Sequence, residues 1–374
     1  MAAPMAVLCG QLLVVGLAGT ELAASERRAL ARGERGGVVL FKRNVIPDAG
    51  GPAGVLALTR SVLEAASAAA LRGAAHPPLL AIDQEGGRVA RIGSPALALP
   101  PMRRIGELGD VALAQRLATA QARELAAMGL TLSFAPVADT HTRPSNPVIG
   151  DRAFAGDPET VARFARAWAR GLLAGGVLSC AKHFPGHGDT TVDSHLALPT
   201  VDRSRSELDA IEIAPFRALA RDSDVTSMMV AHVMFPAIDP TRPASLSRAI
   251  TTGVLREELG FDGVVFTDDL EMKAIQLPMS EAAVLALGAG CDALLVCHRE
   301  DLAEEALAAL VREAEASPAF RARCEQAHAR LAALRGRVKL APAADAAALA
   351  RVLSESHPIA SELASRLAEQ EKTS

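Results

Sequence analysis

The residues best suited to chemistry fall within 182–195, KHFPGHGDTTVDSH. Asp193 and His195 stand two positions apart, close enough to meet across a turn. A carboxylate on one imidazole nitrogen fixes the tautomer and raises the ring's pKa, which leaves the other nitrogen to move a proton. An isolated D-x-H would read as a polar surface loop satisfying its own turn. Here it belongs to a His- and Gly-rich stretch from Lys182 to about Pro199. That is longer than an ordinary βα connection and favours a functional loop. Gly186 and Gly188 are expected to give this loop backbone freedom.

Three further segments carry candidate groups. GVVFTDDLEM (263–272) delivers two adjacent carboxylates at the end of an apolar run. Successive side chains there point in different directions, so one Asp can face a substrate while the other braces the loop. The competing reading, a helix N-cap, suits Asp269 better than Asp268. In DQEGGRVARI (83–92), Asp83 and Arg91 could hold sugar hydroxyls, Gly86-Gly87 permits a tight turn, and Glu85 and Arg88 read as supporting salt-bridge residues. NPVIGDRAF (146–154) places Arg152 on a long loop, where alone it would be a surface arginine. His183, His187, Asp189, His195, His232 and Asp268 could supply metal ligands. Their spacings match no compact motif such as H-E-x-x-H, and Lys182 adds an unhelpful positive charge. No metal and no other cofactor is expected.

These residues need elements to position them. Eight short apolar runs alternate with longer amphipathic ones: 12–17, 37–41, 79–82, 130–135, 177–181, 226–231, 263–267 and 293–297. They are apolar on both faces, as in parallel strands covered by helices. Asp157-Pro158 predicts a helix start, with Val161, Phe164, Ala165, Trp168 and Leu172 on one face. Ser204 with Glu207 predicts a capping box before Leu208, Ile211, Phe216 and Leu219. Eight βα units in series indicate an α/β fold, a (β/α)8 TIM-type barrel over residues 1–335, although a doubly wound sheet shares the alternation. Residues 336–374 read as a C-terminal helical extension. Asp83, Asp139, Lys182-His183, His232, Asp268-Asp269 and His298 all follow a strand-like run, where a barrel places its active site.

Composition bounds the rest. The chain has 374 residues, is 50% hydrophobic and 22% charged, and can bury a large core. Its 39 basic and 43 acidic residues give −4, with no basic block for a phosphate backbone, so no nucleic acid is expected. No run of about 18 uninterrupted apolar residues appears, so no membrane span is expected. Five scattered cysteines read as free thiols in a reducing compartment. The start, MAAPMAVLCGQLLVVGLAG, carries no Lys or Arg before its apolar run and reads as a buried first strand rather than a signal peptide. The expected location is cytoplasmic.

Taken together, IDQEGGRV, IGDRAF, KHFPGHGDT followed by DSH, and FTDDLEM resemble the β-N-acetylglucosaminidases of glycoside hydrolase family 3. The likeness is to the single-domain, cytoplasmic, peptidoglycan-recycling type, runs in family order over roughly residues 10–300, and is most specific in the histidine loop. It implies a retaining β-N-acetylhexosaminidase on a (β/α)8 barrel, with Asp268 as nucleophile, His195 as acid/base and Asp193 as its dyad partner. It assigns Asp83, Arg91, Arg152, Lys182 and His183 to the grip on a terminal N-acetylglucosamine, and His232 to the same pocket.

Retention requires a carboxylate to attack the anomeric carbon from one side while an acid protonates the leaving oxygen from the other. An imidazole already titrates near neutrality and needs only orientation. The glycine-containing loop would let it arrive and withdraw during turnover. The implied substrate is a small-molecule sugar, an N-acetylglucosaminyl-anhydro-muropeptide. With no Tyr and one Trp, placed on an apolar helix stripe, recognition would rest on polar and charged contacts. Two rivals stay open: a phosphorylase or transglycosidase using the same Asp/His machinery, and a catalytically silent sugar-binding barrel.

Overall fold

Eight parallel strands close on themselves: β1 (Leu13–Gly16), β2 (Gly37–Leu40), β3 (Leu79–Ile82), β4 (Leu132–Ser133), β5 (Leu178–Phe184), β6 (Ser227–Val230), β7 (Val264–Asp269) and β8 (Ala293–Val296). They come from a computed structural model that describes residues 4–45, 50–74, 76–194, 196–338 and 345–373. Each strand pairs with its neighbour in sequence, and β1 pairs with β8 through Leu13↔Leu294, so the sheet has no edge. All eight lie within or beside the apolar runs of the sequence. The doubly wound alternative is excluded by closure.

The strands are buried on both faces because helices cover the outside. The helix Pro158–Ala174 begins as the sequence predicts: Asp157 Oδ1 accepts the Thr160 N–H at 2.8 Å, and Pro158 occupies the first turn. Its apolar face, including Phe164, Trp168 and Leu172, is fully buried, and Trp168 packs 5.9 Å from the Phe154 ring. The capping box at Ser204 and Glu207 is present as well. Residues 5–10 depart from the expectation of a strand. Met5–Gly10 is a short helix, and the strand begins only at Leu13. An apolar run alone does not distinguish a buried helical turn from a strand.

Inside the barrel, Phe134 and Phe266 meet edge to face at 5.5 Å and close the space beneath the mouth. The five cysteines are all buried free thiols. One segment, Gly51–Arg72, is long and apolar enough to cross a membrane, yet Val55, Leu58 and Val62 pack it onto the barrel. After Pro318–Gly336 come two further helices, Ala346–Glu355 and His357–Thr373. Both rest on the barrel helix Val111–Ala127, where Leu349, Leu353 and Leu363 are buried.

Candidate active site

A cavity of about 170 Å³ opens at the C-terminal ends of the strands. Its lining includes Asp83 and Arg91 from the loop after β3, Arg152 from the loop after β4, Lys182 and His183 from β5, and Asp268 and Asp269 from β7. A larger groove of about 630 Å³ lies at the opposite end of the barrel, before β6 and β7, and contains none of these residues.

Two strand irregularities aim the key groups. Along β5, Lys182 pairs with Met229 and Phe184 with Val230, so one extra residue, His183, is inserted. Along β7, Phe266 pairs with Ala293 and Asp269 with Leu295, again one residue more than the partner strand. A regular strand sends neighbouring side chains to opposite faces, and a bulge re-aims them. Lys182 and His183 therefore both line the cavity, as do Asp268 and Asp269.

The cavity wall holds a connected set of charges. Lys182 Nζ lies 2.7 Å from Asp83 Oδ1 and 2.7 Å from Glu85 Oε1. Arg91 reaches Asp83 at 3.1 Å, and Arg152 grips Glu85 with two bonds of 2.9 and 2.8 Å. Burial pushes the Asp83 and Glu85 carboxyls up, but Lys182 with Arg91, and Arg152 with Lys182, outweigh it, and both stay below the usual range. Burial likewise lowers Lys182, and the two carboxylates more than restore it. Asp83, Glu85, Lys182 and Arg152 are thus held charged. Glu85, read from sequence as a support, bridges Lys182 and Arg152. Arg152 is no surface arginine, because this bridge draws it into the cavity wall.

The histidines divide by environment. His183 Nδ1 donates to the buried Asp139 at 2.7 Å, which leaves Nε2 as the ring's other polar atom. His187 is tied to Thr190 and Ser194. His232 does not line the cavity with the others. It is fully buried, with Nδ1 2.7 Å from Ser245 Oγ and Nε2 donating to the Asp269 carbonyl at 2.9 Å. Burial lowers its pKa, so it stays neutral behind the Asp pair. Asp269 accepts backbone N–H bonds from Glu271 and Cys297 and lies 3.4 Å from His298 Nε2. It braces the loop, as expected of one member of the pair, but caps no helix. The next helix begins at Met279.

In the histidine loop, Asp193 is described, and its carbonyl accepts from the Leu196 and Ala197 N–H groups. His195 lies outside the described residues. Asp189 turns away to Arg143 and Arg203, at 3.2 and 3.0 Å. Gly188 is needed for close approach rather than freedom: a Cβ there would lie 1.8 Å from the Thr140 carbonyl oxygen. Gly186 has φ 142° and packs on Glu212. Asp139 was legible only as a strand-end carboxylate. Nothing in its spacing pointed to its joint hold on His183 and His187.

Paired carboxylates, an oriented imidazole and a charged wall at the mouth of a closed barrel define a class of sugar-processing enzyme. Comparison with known proteins makes this specific. Residues 6–334 match the glycosyl hydrolase family 3 N-terminal domain, and the chain belongs to that family of glycoside hydrolases. It is 43% identical over 304 residues to a beta-hexosaminidase of Pseudomonas aeruginosa, covering 80% of this chain and 86% of that one. A beta-hexosaminidase of Stenotrophomonas maltophilia is 42% identical over 308 residues, covering 80% and 87%. The fold superimposes on a family 3 β-N-acetylglucosaminidase from Paenibacillus with TM-score 0.88 and 37% identity, over 98% of this chain and 69% of that one. NagZ from Neisseria gonorrhoeae, solved with N-trifluoroacetyl-D-glucosamine, gives TM-score 0.71 and 33% identity, over 87% and 98%.

Proposed function

We propose that the protein is a retaining exo-β-N-acetylglucosaminidase working through a covalent glycosyl-enzyme. The observation that carries the reading is the convergence of Asp268 with the Asp83–Lys182–Glu85–Arg152 network and His183 on one small cavity. At about 170 Å³ it falls below the roughly 300–1,000 Å³ of pockets for larger ligands, which suits one terminal sugar ring.

In this reading Asp268 attacks the anomeric carbon and forms the glycosyl ester. Asp83, Arg91, Arg152, Lys182 and His183 orient the sugar and hold its ring in the reactive geometry. His195, oriented by Asp193, protonates the departing oxygen and then takes a proton from the incoming water. His232 acts from behind by fixing the Asp269 backbone. The physiological donor is an N-acetylglucosaminyl-anhydro-muropeptide, the substrate implied by the family resemblance, met in the cytoplasm. Residues 336–374 are a helical extension to the catalytic barrel of residues 1–335.

The test is turnover of p-nitrophenyl β-N-acetylglucosaminide together with covalent trapping. Asp268→Ala should lower kcat at least about 10³-fold, and a 5-fluoro glycosyl donor should label Asp268. Labelling of Asp269 or Glu85 would move the nucleophile. A sugar phosphate formed when phosphate is added would favour the phosphorylase, and no turnover at all would favour the silent barrel.

A further inference from the structure

His187 has no role in the double displacement above, yet it is among the most fully bonded side chains near the site. It is 1% exposed. Its backbone N–H donates to Asp139 Oδ1 at 2.6 Å, Nδ1 lies 2.8 Å from Thr190 Oγ1, and Nε2 lies 3.0 Å from Ser194 Oγ. The two ring contacts are linked through the tautomer. Where the Thr190 hydroxyl donates to the His187 carbonyl at 3.1 Å, it accepts from Nδ1–H and Nε2 accepts from the Ser194 hydroxyl; in the other tautomer Thr190 donates to Nδ1 and Nε2–H donates to Ser194 Oγ. Burial, helped by neighbouring His183, holds the imidazole down to about 4, so the ring stays neutral at neutral pH and ties Ser194 in either tautomer.

Ser194 stands between Asp193 and His195 in the chain, lines the cavity and is 2% exposed. Its carbonyl accepts the Ala274 N–H at 3.3 Å, from the loop that follows β7, the strand that carries Asp268. Its hydroxyl is thus tied to the strand-β5 side of the site and its carbonyl to the nucleophile side.

We propose that His187 is a positioning residue for acid–base catalysis: through the Ser194 hydroxyl it fixes the chain segment that carries Asp193 and His195. The inference rests on His195 being the acid/base.

The test compares two donors in the full-length enzyme. Chitobiose loses a sugar alkoxide and needs a proton. 2,4-Dinitrophenyl β-N-acetylglucosaminide does not. Ser194→Ala and His187→Asn should lower kcat/KM for chitobiose by about 10–10²-fold, the cost of a misplaced catalytic group. For the dinitrophenyl donor the loss should stay within about twofold. His187→Gln, which sets an amide able to accept from or donate to Ser194 near the place of Nε2, should recover part of the loss, while His187→Asn reaches only Thr190. Inhibition by N-acetylglucosamine should not change, because the grip on the sugar is untouched. Equal losses on both donors, or weakened inhibition, would show a merely structural role and overturn the proposal. Thermal midpoints are measured alongside, and if Ser194→Ala does not fold, the Gln and Asn variants decide. His195→Ala is the control. If it shows no donor dependence, the acid/base assignment fails; if it does and the positioning variants do not, only the positioning fails.

Discussion

Glu212 shows how one side chain can set a pH dependence for the whole molecule. It is 1% exposed, and neither carboxylate oxygen has a hydrogen-bond partner among the described residues; Arg203 Nε stands 3.5 Å away. Burial raises its pKa from 4.5 to about 7, despite the pull of Arg203. The sign follows. Below about 4.5 the group is protonated both folded and unfolded, and costs nothing. As pH rises towards 7 the unfolded chain ionises first, so stability falls, and above 7 the full cost of a buried carboxylate remains. Glu212→Gln should differ from the wild type by less than about 1 kcal/mol at pH 5 and be more stable by up to about 3 kcal/mol at pH 8. Thermal melts at the two pH values check this, and an equal difference at both would refute it. Glu85 makes the contrast: an equally buried carboxylate, it is held charged by the cations beside it.

At the scale of elements, the two bulges and the packed glycine loop do the positioning. The sequence shows where strands end, because apolar runs stop and ionisable residues follow. It does not show that β5 and β7 each gain a residue there, since a bulge depends on pairing with the neighbouring strand. The sequence reading, one Asp facing the substrate and the other bracing the loop, matches Asp269's bonds to Glu271 and Cys297; that both carboxylates also line the cavity was not legible. His232 was legible as a strand-end histidine. That Ser245 and the Asp269 carbonyl would claim both its nitrogens was not, because these partners are remote in the chain. Gly188 gives the element-scale prediction. Gly188→Ala would drive a methyl into the Thr140 carbonyl, so the loop must shift. We expect a lower thermal midpoint and a fall in kcat of about 10-fold or more. Unchanged activity would mean that the loop tolerates displacement.

Across the whole molecule, one core is shared by the barrel, its helices and the C-terminal pair. Arg116–Glu362 and Arg366–Asp110 pin the last helix at 2.6 and 3.3 Å. The barrel was the most legible level, since eight apolar runs with caps between them leave few topologies. The tail was legible only as helical, because the partners for its apolar face lie more than two hundred residues earlier. Trp168, buried beside Phe154 on the outer helix layer, gives this molecule an optical consequence. With no Tyr and a single Trp in the chain, ultraviolet emission comes from one shielded indole. The spectrum should be blue-shifted when native, move red in one step on denaturation, and stay constant while N-acetylglucosamine is titrated to saturation. The enzyme carries its own dye for unfolding, and that dye does not register an occupied sugar site.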